Sequence, residues 1–97
     1  MKEIDRLAFL LERDNIPFER EEVSTVPGIE LTRIQYPCDK DFVCSAIQGT
    51  YSYGGKMNLV EIMGLLTPKE EEQDEVVGYL TADEVYERIK NHYKRGS

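Results

Sequence analysis

The fold is decided by residues 42–66, which read FVCSAIQGTYSYGGKMNLVEIMGLL. Two apolar runs flank Gly54-Gly55, and a glycine pair in this position is typical of a two-residue type I′ hairpin loop. That loop sets a register in which Ile47 faces Ile62. The stretch therefore predicts two antiparallel strands joined at the glycine pair.

This register makes both faces of the hairpin apolar. One face carries Val43, Ile47, Val60, Ile62 and Leu66. The other face carries Phe42, Cys44, Ala46, Leu59, Met63 and Leu65.

A helix beginning at Asn58 is the competing interpretation of the second run. Asn58 and Glu61 have the spacing of a capping box. Helical spacing is also shared by four apolar residues, Leu59, Ile62, Met63 and Leu66. Short apolar runs do not separate the two structures by periodicity alone, but the consistent hairpin register favours a strand.

The chain before the hairpin predicts one helix and two strands. Residues 2–14 carry one apolar stripe at helical spacing, and residues 18–24 alternate loosely as in an edge strand. A turn at Val26-Pro27-Gly28 leads to a strand at Ile29–Tyr36. The apolar parity of this strand switches midway, which predicts a bulge near Thr32-Arg33 or burial on both faces.

Two helix-start signals follow the hairpin. Thr67 with Glu70 forms the first, but the residues after it are polar, so 68–75 are predicted to be an acidic helical turn or loop before a strand at 76–80. Thr81 with Glu84 forms the second, and a true apolar stripe follows. We expect a helix over 82–94 and a frayed tail at 95–97.

These elements predict a single α+β domain over residues 1–97. An N-terminal helix precedes a meander of four or five mostly antiparallel strands, and a C-terminal helix follows it. Both helices are expected on one face of the sheet, because each has a single apolar stripe to bury.

The negative charge is concentrated in one segment. The chain has 12 Lys and Arg against 19 Asp and Glu, a formal net charge of −7. Residues 67–87 alone carry eight acids and one cation, so the remainder is neutral. Because nucleic-acid binding depends on phosphate neutralisation by cations, we expect no direct nucleic-acid partner. A small basic face on the last helix is explained by the helix dipole; it comprises Arg88, Lys90, Lys94 and Arg95.

The location is predicted to be cytoplasmic, without a membrane partner. No apolar run approaches the length of a membrane span, and the first residues, MKEIDR, carry acids where an export signal is basic. Cys38 and Cys44 match no metal-ligand spacing, and Cys44 is interpreted as a small core residue. We expect no metal and no other cofactor.

The sequence favours a protein without catalytic activity. His92 is the single histidine and has no adjacent acid to orient it. The enzymatic alternative is a metal-dependent nuclease using Asp39, Asp41 and Glu61, but a chain this rich in charge contains such a set by chance.

Two tyrosines indicate surface recognition instead. Tyr51 and Tyr53 flank the hairpin tip, and tyrosine is enriched at interfaces because it buries a large area at low entropic cost. Covering the end of the sheet is an equally good explanation of these rings.

Three segments carry a resemblance to a group of known proteins: SYGG at 52–55, LVEIMG at 59–64 and VGYLT at 77–81. With the acidic amphipathic helix that follows, they resemble small proteins of phages and prophages of Gram-positive bacteria. The resemblance covers 52–66 and 76–93 and brings no catalytic motif. It implies an accessory role encoded by a mobile element.

The leading hypothesis is therefore a small accessory protein that binds an unidentified protein. Its candidate contact residues are Tyr51, Tyr53, Glu70, Glu71 and Glu72. The alternative is an acidic nucleic-acid mimic that occupies the DNA-binding cleft of a host defence enzyme.

A homodimer is predicted from the hairpin register. If the two helices cover one apolar face of the sheet, the other exceeds what a soluble monomer usually exposes, and a second copy is the simplest cover. This predicted dimer face comprises Phe42, Cys44, Leu59, Met63 and Leu65.

Overall fold

The computed structural model describes residues 1–27, 29–50, 52 and 54–96. The helices in this part of the chain are α1 (Glu3–Arg13), α2 (Pro68–Gln73) and α3 (Ala82–Gly96). The strands are β1 (Glu19–Val26), β2 (Ile29–Tyr36), β3 (Cys44–Gly49), β4 (Val60–Met63) and β5 (Val76–Leu80). A 3-10 turn at Gly55–Met57 lies between β3 and β4.

The five strands pair in chain order, each antiparallel to the next, so the sheet is a meander. The first helix contacts β2 and β3, the last contacts β4, and the two helices contact each other. The predicted α+β architecture is therefore confirmed. None of the described helices is long and apolar enough to cross a membrane.

The core lies between the two long helices and one face of the sheet. From the helices, its fully buried side chains include Ile4, Leu7, Leu11, Val85 and Ile89. From the sheet, the buried residues include Ile34, Tyr36, Cys44, Ala46, Val60 and Ile62. The interpretation of Cys44 as a core residue is confirmed.

The β3–β4 register differs by one residue from the predicted one. Ile47 pairs with Glu61 instead of Ile62. The connection is longer than a two-residue loop, because it contains the 3-10 turn. Gly54 and Asn58, on either side of that turn, take left-handed backbone angles. A shift of one residue moves the side chains of one strand to the other face relative to its partner.

This shift divides the predicted dimer face. Cys44 lies in the core with Val60 and Ile62, whereas Met63 is exposed on the opposite face of the sheet. Since the β3 core residues and the β4 core residues share one face, the predicted apolar set is split between the core and the opposite face of the sheet. The predicted dimer face is therefore not a single surface; its residues were Phe42, Cys44, Leu59, Met63 and Leu65.

The remaining strand predictions are resolved as follows. The second apolar run forms the strand β4, as predicted, and not the alternative helix beginning at Asn58. β2 pairs continuously through Thr32-Arg33, and the irregularity lies in β1 between Val23 and Val26. The predicted bulge is therefore absent from Thr32-Arg33, and burial of the three successive residues 34–36 replaces it.

The helix-start signals work as predicted. At α2, Thr67 Oγ1 accepts the N–H of Glu70 and Glu70 Oε1 accepts the N–H of Thr67. The acidic segment is thus helical over its first six residues, Pro68–Gln73. The last helix continues through Gly96, two residues beyond the predicted end at residue 94, and Ser97 lies outside the described residues.

Candidate protein-binding surface

A cavity opens where the β3–β4 connection meets β5. Its volume is about 440 Å³. Its lining combines two large apolar side chains with hydroxyl groups and a cation, a mixture suited to recognition. We call the lining residues the tip surface: Thr50, Ser52, Gly54, Lys56, Met57 and Tyr79.

Tyr79 and Met57 are the exposed apolar parts of the tip surface. Their exposed fractions are 58% and 67%. Single exposed apolar residues are common, but these two line the same cavity. Tyrosine and methionine are both enriched in protein interfaces, the first for its rigid ring and the second for its adaptable chain. The pair is therefore a candidate contact for another protein.

The backbone holds Tyr79 in an unusual conformation. Its φ of 60° lies in the left-handed region, which costs a non-glycine residue about 1 kcal/mol. Val60 pairs with Leu80 but Ile62 pairs with Val77, so β5 carries one extra residue here. Such bulges redirect side chains. The bulge explains how Tyr79 reaches the cavity.

The β3–β4 connection packs directly on this bulge. A Cβ at Gly54, where φ is 91°, would lie 3.0 Å from both N and Cα of Tyr79. A Cβ at Gly55 would lie only 1.9 Å from the carbonyl oxygen of Gly49. The sequence interpretation explained the glycine pair by a tight hairpin loop. The structure shows instead that the pair permits close approach of backbone segments.

Side-chain hydrogen bonds join the connection to the helices. Gln48 Oε1 accepts the N–H of Ile4 at 2.8 Å, and Gln48 Nε2 donates to Asn58 Oδ1 at 2.7 Å. Asn58 Oδ1 also accepts the N–H of Glu3 at 3.0 Å, and Glu3 Oε1 accepts the N–H of Ala82 at 2.9 Å. Since the first N–H groups of a helix have no partner within it, these side chains cap both long helices. The tip surface is thereby fixed to the helical layer.

Tyr51 and Tyr53, predicted as contact residues, lie outside the described residues. Thr50, Ser52 and Gly54 alternate with them along the chain and line the cavity. The connection that the sequence singled out therefore lines the candidate surface, although the exposed apolar residues described there are Tyr79 and Met57.

The predicted acidic contacts lie elsewhere. They belong to α2, which follows β4, whereas the β3–β4 connection precedes it. Glu70 accepts hydrogen bonds from Arg88 through both carboxylate oxygens, at 2.8 and 2.9 Å. These bonds lower the pKa of Glu70 to about 2. Glu70 therefore links α2 to the last helix, and Glu71 and Glu72 are exposed.

Sequence reasoning missed Tyr79 and Met57. Gly78 is the signal that could have located the first, because a glycine inside a strand often marks a bulge. Met57 is positioned by the 3-10 turn, for which the glycine pair alone is not a sufficient signal.

The groups considered for catalysis are distributed over several elements. Asp39 and Asp41 are exposed between β2 and β3, and Glu61 is half-buried in β4. Among the described residues, no three His, Cys, Asp or Glu side chains are placed to share a metal. Burial raises the pKa of the Cys44 thiol to about 12, whereas a reactive cysteine needs a lowered pKa. Cys44 is therefore not an activated nucleophile.

No protein-family model, curated protein or solved structure matches this chain. Its function is therefore inferred from the tip surface and from the sequence.

Proposed function

We propose that this protein is a small non-enzymatic accessory protein that binds another protein through the tip surface. The observation that carries the proposal is the pairing of Tyr79 and Met57, both more than half exposed, around one cavity. Tyr79 is held there at a backbone cost, and strain of this kind clusters at functional sites.

A mobile-element origin and a cytoplasmic location are parts of the same proposal. The origin is supported by the resemblance of 52–66 and 76–93 to small phage proteins. The location is supported by the free thiols of Cys38 and Cys44, since disulfides are rare in the reducing cytoplasm.

The nucleic-acid mimic has less support. Its charge would come from the acidic segment, but the Glu70 carboxylate is paired with Arg88 inside the fold. Binding that disappears in high salt, and that the double variant Glu71→Gln, Glu72→Gln abolishes, would favour the mimic, because exposed charges are screened by salt. Binding through an apolar contact would persist in high salt.

The proposal does not depend on a homodimer. The face of the sheet opposite the helices carries five apolar residues, of which only Met63 is among the exposed large hydrophobic side chains: Val23, Leu31, Ile47, Met63 and Val76. The same face carries the ion pair of Arg33 with Glu21 and the side chain of Glu61. A mixed face of this kind does not require a cover in the way that the predicted apolar face did.

The proposal is tested by photocrosslinking in the cells that encode the protein. A photoreactive amino acid replaces Met57 in one variant and Phe9 in the other. Phe9 is the matched control, since it is 56% exposed on α1. We expect position 57 to give an adduct with one defined protein, because partner side chains fill the cavity there.

The control position should give no such adduct. The same adducts from both positions, or none from position 57, would contradict binding at the tip surface.

A further inference from the structure

A second cavity lies against the C-terminal half of α3, on the basic face that the helix dipole was taken to explain. Its volume is about 390 Å³. We call it the α3 groove. One wall belongs to the helix and carries Arg88, Asn91, His92 and Arg95. The opposite wall is the β4–α2 connection, with Leu65, Leu66 and Thr67.

We propose that the α3 groove binds a carboxylate that bears a branched apolar group. The helix wall supplies nitrogen donors and positive charge, and the connection supplies apolar surface. The two walls thus match the two halves of such a ligand.

Arg88 forms the fixed part of the helix wall. Its guanidinium donates to both oxygens of Glu70 and, at 3.0 Å, to the carbonyl oxygen of Leu65. Glu70 offsets the charge of Arg88, so this arginine shapes the groove and does not supply its net charge. Leu65 is itself held at a φ of 54°, and the bond from Arg88 ties down this strained residue.

His92 lines the groove, and its ring is held by Tyr36. Its Nδ1 lies 2.8 Å from the hydroxyl oxygen of Tyr36. Burial raises the pKa of Tyr36, so the phenol keeps its proton. When that hydroxyl donates to Nδ1, the neutral ring carries its proton on Nε2, which is then a donor.

Arg95 supplies the net positive charge. It is exposed and lines the groove, and it forms no ion pair with any described carboxylate. Asn91, on the same helix wall, adds an amide that can donate to an oxyanion. A carboxylate entering the groove would therefore meet donors that are not already committed within the fold.

The apolar wall selects among anions. Leu65 and Leu66 are half-buried and pack against the core while still lining the groove. An inorganic anion or acetate leaves this surface wet, whereas a branched aliphatic group covers it. We therefore expect isocaproate to bind more tightly than acetate.

The experiment is a titration of the full chain followed by amide resonances in NMR spectra. Ligands this small bind in the millimolar range, so concentrations up to about 50 mM are needed. We expect isocaproate to give saturable shifts confined to residues of the α3 groove. Acetate lacks the apolar group and isocaproamide lacks the charge, and each should bind at least about tenfold more weakly.

Variants identify the cation. Arg95→Gln should weaken isocaproate binding about tenfold, because it removes a charged donor from an exposed position without disturbing the core. Lys40→Gln, an equal change of charge in the exposed β2–β3 connection, should leave the affinity unchanged. N-acetyl-Ala-Leu distinguishes the source: tighter binding than isocaproate assigns the ligand to a polypeptide C-terminus, and weaker binding assigns it to a small acid.

Three results would each overturn the proposal. These are the absence of saturable shifts in the groove, equal binding of isocaproate and isocaproamide, and equal losses in Arg95→Gln and Lys40→Gln.

Discussion

At the scale of single residues, Tyr79 has two properties that oppose stability: an exposed ring and a left-handed backbone. Neither property helps the isolated fold, since the ring buries little area and the backbone is strained. The bulge in β5 maintains both. The proposed role of Tyr79 in protein binding would explain why a tyrosine occupies the position.

Replacing Tyr79 with glycine should keep the free energy of unfolding at the wild-type value or raise it by up to about 1 kcal/mol, because glycine adopts positive φ without strain. Tyr79→Ala keeps the Cβ, so it should be about 1 kcal/mol less stable than Tyr79→Gly. Urea unfolding of both variants measures the difference. An alanine variant as stable as the glycine variant would contradict the strained backbone.

The Arg88–Glu70 pair predicts a pH dependence. The pKa of Glu70 falls from 4.5 in the unfolded chain to about 2 in the folded state. The pair therefore stabilises the fold fully at pH values above 4.5, and this stabilisation is lost as the pH falls toward 2. Glu70→Gln keeps a capping side chain but removes the charge. It should be less stable than wild type by about 1 kcal/mol at pH 7, a value reduced by solvent screening.

Unfolding of this variant from pH 7 downward gives the test. The difference from wild type should shrink below about pH 4.5. The matched control is Glu71→Gln, which changes the same charge one residue further along α2 at an exposed site. A difference that stays constant with pH would show that Arg88 does not lower the pKa of Glu70.

At the scale of elements, Gln48 links β3 to the start of α1. Gln48→Leu removes the acceptor for the N–H of Ile4, and an unpaired buried donor costs about 1–3 kcal/mol. Gln35 is the matched control, because Gln35 and Gln48 are both 7% exposed. The side chain of Gln35 has no hydrogen bond to another described residue. Gln35→Leu should therefore change the free energy of unfolding by much less.

Chemical denaturation of the two variants compares the same substitution at two positions. Equal losses would mean that the bond from Gln48 contributes nothing beyond burial.

The elements themselves show how far sequence reasoning reaches. Thr67 with Glu70 and Thr81 with Glu84 were correctly identified as helix starts, because a capping box is complete within four residues. The β3–β4 register was not, because it depends on the left-handed angle of Asn58 and on the contact of Gly55 with Gly49. Asn58 accepts a hydrogen bond from Glu3, 55 positions away, and the approach of Gly55 to Gly49 is a contact with the backbone, so neither gives a local sequence pattern.

The candidate site was predictable to the same limited extent. The sequence located the β3–β4 connection, since its glycine pair and tyrosines are local signals. It did not locate Tyr79, which joins the site only because β5 pairs with β4 and carries an extra residue there. The link between Gln48 and α1 was equally hidden, since the two residues of that bond are 44 positions apart.

At the scale of the whole molecule, the two proposed binding sites lie at opposite ends of β4. The tip surface lies near the start of β4, where Tyr79 of β5 meets the β3–β4 connection, whereas the β4–α2 connection of the α3 groove follows the other end of β4. The core between the helices and the sheet connects them, and the Gln48 and Arg88 hydrogen bonds fix one end each. Substitutions at the tip surface should therefore leave the other end unchanged.

The most direct test of protein binding at the tip surface is the yield of the photocrosslinked adduct from position 57, compared between the wild-type background and Tyr79→Gly. The stability of both proteins is measured alongside. We expect Tyr79→Gly to be as stable as wild type while its yield falls at least about tenfold, because the aromatic anchor is lost and the fold is not. A wild-type yield from a stable Tyr79→Gly protein would contradict the account.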